Sequence, residues 1–113
     1  MERRVVESVS VLTPTEKVLA GQEAADLLSA AKEILKHEAP RIVVDLTRVD
    51  GLLSSGLGAL IRVQAGCINR GGWLRIIGVN RRIRSLVRLC PCTYVLNIYD
   101  TLDEAIAVPH PTP

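Results

Sequence analysis

The residues in this chain best placed to do chemistry are Ser54-Ser55-Gly56, where a run with strand character gives way to a helical period. A serine hydroxyl at such a junction has two uses. It can cap the helix by accepting from an unpaired N–H of the first turn, or it can take a phosphoryl group, whose negative charge is tolerated beside those same N–H donors and the positive end of the helix dipole. The two uses are compatible, and the spacing alone leaves both open.

Other reactive side chains are sparse. Asp45 and Asp50 lie near the end of the preceding strand and suggest a phosphoacceptor aspartate, but such a site needs a further acidic pair at an earlier strand end, and the segment 5–19 supplies only Glu7 and Glu16. Cys90-Pro91-Cys92 has no second Cys pair, and His37 and His110 are distant in sequence, so no metal site is expected. The three cysteines, an odd number, argue against a disulfide framework and for a reducing compartment. No Ser/His/Asp set and no Gly-rich phosphate loop is present. The expectation is a non-enzymatic module without a cofactor.

The elements that must position the serines are legible from periodicity. Ile42-Val43-Val44 is a short β-branched run ending at Asp45 and reads as a buried strand. On a wheel of about 100° per residue, Leu57, Leu60, Ile61, Val63, Cys67 and Ile68 share an apolar arc with Gln64 inside it, while Ser55, Ala59, Arg62, Gly66 and Asn69 face away. Ser55 is therefore expected to point outward and Ser54 to be partly covered. Small residues beside Ser55 should leave a shallow surface for a partner, formed by Ser54, Ser55, Gly56, Ala59, Arg62 and Gly66.

Around this unit, 5–12 reads as one strand near a sheet edge, and Lys17-Val18-Leu19 as a short strand or a loop. Gly21 leads into an amphipathic helix with Ala24, Leu27, Leu28, Ala31, Ile34 and Leu35 inward and Glu23, Asp26, Glu33 and Lys36 outward, stopped by Pro40. Trp73 to Gly78 is a strand whose Trp73 reads as a packed edge residue, and Tyr94 to Tyr99 is the last strand. Between them, 80–89 is a helix with Ile83, Leu86 and Val87 inward and Arg81, Arg84 and Arg88 outward. Such a stripe reads first as a solvated face and second as a docking surface for an acidic partner. Thr101-Leu102-Asp103-Glu104 matches a capping box for a short final helix.

The run VVDLTRVDGLLSSGLGALI resembles the central motif of STAS domains, the family of sulphate transporters and anti-sigma factor antagonists. Gly21 to Leu27, Gly71 to Ile76 and Thr101 to Ala105 resemble its first helix start, following strand and final helix, so the resemblance covers about Val5 to Ala107. It implies an α/β STAS-like sandwich, a mixed four- to five-stranded sheet with amphipathic helices mainly on one face. It also implies an anti-sigma factor antagonist switched by a partner anti-sigma factor that is a serine kinase, reset by a serine phosphatase. The phosphorylated position would be the serine directly before the glycine, Ser55, with Ser54 as the alternative. Where those antagonists carry an aspartate before the serine pair, this chain has Leu53, and Glu16 falls where the family often has a glycine. Other readings are a scaffolding STAS protein, including a subunit of a lipid-transport or stress-sensing complex, and a STAS domain that binds a nucleotide or small anion at the helix start.

Composition sets the outer bounds. A chain of 113 residues suits a single domain, expected over 1–108 with a disordered tail at 109–113. With 48% hydrophobic but only 3% aromatic residues, the core must be aliphatic. A net charge of +2 is too small to draw nucleic acid by bulk attraction. No apolar run reaches the roughly 20 residues of a membrane span, so no membrane insertion is expected. The expected protein is cytoplasmic, and a monomer or weak homodimer.

Overall fold

The computed structural model describes residues 1–90 and 96–109. Its elements in chain order are β1 (Glu2–Val6), β2 (Val9–Thr13), β3 (Val18–Leu19), α1 (Gly21–Ile34), β4 (Arg41–Asp45), β5 (Gly51–Leu52), α2 (Ser54–Asn69), β6 (Trp73–Ile77), α3 (Arg81–Leu89), β7 (Asn97–Tyr99) and α4 (Leu102–Ala107). Five strands form a mixed sheet in the order β1-β2-β4-β6-β7, and β3 pairs with β5 in a small parallel ribbon. Only β1 runs antiparallel to its neighbour.

The alternation of β4 explains the layers. Ile42 and Val44 turn to a face shared with Leu12, Leu74 and Ile76, covered by apolar residues of α1, α2 and α3. Val43 turns to the other face with Val9, Val11, Trp73 and Ile77, against Ala105 of α4. Each side chain fully buried in this way is worth about 1.5–3 kcal/mol relative to exposure. The α/β architecture with a mixed five-stranded sheet is the one expected from the strand and helix pattern.

Several local expectations are corrected. The segment 5–12 is not one strand: the chain reverses at Glu7 and Ser8, with φ of +50° and +65°, and makes the β1–β2 hairpin. Neither residue is the Gly or Asn that normally advertises such a turn. Of the two readings of Val18-Leu19 the strand is the one observed, because Gly51-Leu52 pairs with it. Glu23 is buried rather than outward, and its carboxylate accepts from the Thr15 N–H at 2.8 Å, holding the loop before β3 against α1. The expected strand from Tyr94 begins within the described residues only at Asn97, and Tyr94, Val95, Cys92 and the segment 110–113 lie outside them.

Two buried polar side chains hold the layers. Gln64 of α2 accepts from Leu74 N–H at 2.7 Å and donates to Leu74 C=O at 3.1 Å. The amide pairs with both backbone groups of Leu74 as a neighbouring strand would. Arg75 is 1% exposed. Its guanidinium lies 3.9 Å from the Trp73 ring centroid and donates to the carbonyls of Ala105, Val108 and Pro109 at 2.6, 2.7 and 3.1 Å. A cation is thus set against the negative end of α4. Burial lowers its pKa and the neighbouring Tyr99 raises it, yet an arginine remains charged.

Candidate functional site

The site is built where the β3–β5 ribbon meets α2. Leu53 is the extended residue before the helix (φ −98°, ψ 172°); its N–H donates to Leu19 C=O at 3.3 Å and its C=O accepts from Leu57 N–H at 3.0 Å. Gly56 then passes against β3 so closely that a Cβ there would stand 2.1 Å from Leu19 O. A glycine after the serine pair is therefore a steric requirement of this helix–ribbon contact. No side chain caps α2, and its first turn has no acidic residue.

Ser55 is exposed, as the wheel indicates, but its hydroxyl does not serve its own helix. Ser55 Oγ accepts from the Gly21 N–H at 3.1 Å. Gly21 opens α1 with φ +50°, and Ala20 before it offers no side-chain cap. The capping reading is thus redirected: Ser55 caps the neighbouring helix, bringing the starts of α1 and α2 together. Ser54 is also exposed, not partly covered. The wheel misplaces it because Ser54 is the first helical residue, where projection from the helix interior is least constrained.

The surface beside the serines is not the small-residue face expected. Ala59 is 2% exposed, Gly56 is buried, and a Cβ on Gly66 would stand 2.9 Å from Cδ1 of Leu35, the residue just after α1. Gly56 is covered by β3 and Gly66 by the end of α1; Ile68, placed inward by the wheel, is 54% exposed instead. Of the six residues expected on a partner surface, Ser54, Ser55 and Arg62 are exposed, Gly66 is half-buried, and Gly56 and Ala59 are covered by the protein itself. The outer surface near Ser55 is apolar: Leu53 is 59% exposed and Val18 45%. Strand alternation from the Val18↔Gly51 pair puts Val18 and Leu53 on one side of the ribbon.

Around this junction, Asp45 Oδ1 accepts from both the N–H (3.0 Å) and the hydroxyl of Thr47, and Gly78 (φ +73°) fits against that turn, where a Cβ would stand 2.8 Å from Asp45 Oδ1. Asp45 ends its strand structurally. Asp50 is exposed, and its C=O accepts from Asn80 Nδ2 at 2.9 Å, which ties the start of α3 to the segment entering the serines. The basic stripe divides: Arg81 and Arg88 are exposed, while Arg84 is half-buried and pairs with Asp100 at 3.4 Å. Arg82, exposed and absent from the expected stripe, joins Arg81 in a groove with Asp50, Asn80 and Ser85. Its adjacency to Arg81 was the available signal. Cys67 is fully buried, which pushes its thiol up to about 12 and keeps it unreactive. Among the described residues, no group of three His, Cys, Asp or Glu could hold a metal, and no helix is long and apolar enough to cross a membrane.

A mixed sheet backed by three helices, with an exposed serine pair at the strand-to-helix junction, defines an α/β domain of the STAS fold. The family model described as Mlab, STAS domain, matches residues 16–91, well over half of the chain, and the protein belongs to the STAS domain family. It is 25% identical over 105 residues, 91% of each chain, to a homologue in Thermotoga neapolitana of a candidate anti-sigma factor antagonist. The crystal structure of a candidate anti-sigma factor antagonist from Thermotoga maritima superposes with a TM-score of 0.83 at 24% identity, over 93% of this chain and 90% of that one. The anti-sigma factor antagonist SpoIIAA, in its unphosphorylated form, superposes with a TM-score of 0.67 at 14% identity, over 93% and 92%.

Proposed function

We propose that this protein is a signalling module that acts as an anti-sigma factor antagonist, binding an anti-sigma factor that is also a serine kinase and released by phosphorylation of Ser55. The observation that carries the reading is the position of Ser55: exposed at the α2 start, against a glycine required by the β3 contact, with the Gly21 N–H as donor to its hydroxyl. Added phosphate brings about −1.5 to −2 of charge to a surface whose neighbours Leu53 and Val18 are apolar. A partner that desolvates those residues would have to desolvate the phosphate as well, so modification weakens the complex. Resetting requires a serine phosphatase, and the cycle belongs in the cytoplasm.

Phosphorylation assays with a cognate anti-sigma kinase and ATP test the reading. The protein should gain one phosphate, mapped by peptide mass to Ser55; Ser55→Ala should remain unmodified and still bind. Tight kinase binding with no modification of wild type or of Leu53→Asp would sink the switch. Leu53 itself favours a second reading, a permanent scaffold within a complex, because an exposed leucine where the antagonists carry aspartate suits a lasting apolar contact. In that case Leu53→Asp would abolish partner binding without any change in phosphorylation.

A further inference from the structure

The start of α3 is built against its own electrostatics. Arg81 and Arg82 occupy the first turn, no acidic residue accompanies them, and Arg88 adds a third exposed cation in the last turn. Cations at the positive end of a helix are destabilising, and the preferred occupants there are Asp and Glu. The cation at position 84 is compensated by Asp100. No ion pair among the described residues compensates Arg81 or Arg82. These two line a shallow, open groove with Asn80 and Ser85, and Asp50 lies in its wall. The groove is held in shape from both sides: Asn80 Oδ1 accepts from Ile83 N–H at 2.8 Å while its Nδ2 donates to Asp50 C=O at 2.9 Å.

We propose that this groove docks an acidic segment of a protein partner, whose carboxylates supply the charge that the first turn of α3 lacks. Two exposed guanidiniums offer forked donors suited to carboxylates, and the Ser85 hydroxyl adds a neutral hydrogen-bonding group. Asp50 selects among anions. A dense polyanion, a nucleic acid strand or an anionic membrane, would bring negative charge against that wall, and the whole chain's net +2 gives it little compensating attraction. A peptide can place its carboxylates on the arginine side alone. The inference does not depend on phosphorylation of Ser55.

Fluorescence anisotropy with a short labelled Glu-rich peptide at low salt tests it, with a single-stranded oligonucleotide and phosphatidylglycerol vesicles as competitors. The double variant Arg81→Gln/Arg82→Gln should weaken peptide binding about tenfold. Arg3→Gln/Arg4→Gln, which removes the same charge from exposed β1, should leave it unchanged. Asp50→Asn should tighten the peptide and improve both competitors. The α3 double variant should melt no lower than wild type, since it relieves the repulsion at the helix start. Undetectable binding, equal losses in the two double variants, preference for the oligonucleotide or vesicles, or a lowered melting temperature for the α3 variant would each overturn the proposal.

Discussion

The helices α3 and α2 are secured at their starts in opposite ways. α3 is capped by the residue that precedes it, Asn80, whose side chain also ties Asp50 in place. α2 has no side-chain cap, and the hydroxyl at its second position is given to α1. The first helix start is a local device, complete within four residues. The second exists only in the assembled protein, since Ser55 and Gly21 are 34 residues apart. The difference teaches what each side chain secures: Asn80 holds the start of its own helix, whereas Ser55 sits exposed at the seam between two helices and joins their starts.

The largest test of this contrast is Gly56→Ala. Its Cβ would meet the Leu19 backbone, so α2 must back away from the ribbon at a cost of about 3 kcal/mol. Gly58→Ala, with nothing within 4 Å, should instead gain up to about 1 kcal/mol from helix propensity. Equal chemical-denaturation midpoints for the two would refute the close approach. Asn80→Ala should cost about 1–2 kcal/mol, as it removes a cap and a tether together. The smallest effect is the most diagnostic. Ser55→Ala should cost about 0.5–1 kcal/mol, and hydrogen exchange should accelerate at the start of α1 rather than of α2, while Ser54→Ala changes neither. Faster exchange confined to α2 would return Ser55 to the role of a local cap.

What was legible in the sequence follows the same division. The β4 strand, the α1 and α3 helices, and the Thr101 cap, which accepts from Glu104 N–H at 3.1 Å, are encoded by neighbours in the chain. The hairpin at Glu7-Ser8 was hidden because its left-handed backbone is adopted by residues without a turn signature. Ala59 and Ile68 exchanged sides relative to the wheel because a wheel knows angles but not neighbours: Ala59 is buried in the assembled core, while Ile68 is left more than half exposed. Gln64, awkward on an apolar arc, is explained by its two hydrogen bonds to the Leu74 backbone, a partner ten residues away. The serine pair was visible from its spacing; the partner of its hydroxyl was not.

The latch formed by Arg75 has a consequence for conditions under which the domain holds together. Most buried cations are secured by a carboxylate, and such a pair lets go when acid protonates the carboxylate. Arg75 is instead held by three backbone carbonyls and an indole face, none of which titrates in water at ordinary pH. The attachment of α4 to the sheet should therefore be indifferent to acidification through the carboxylate range. Added salt should also leave it intact, because the contact is buried and screened little by ions.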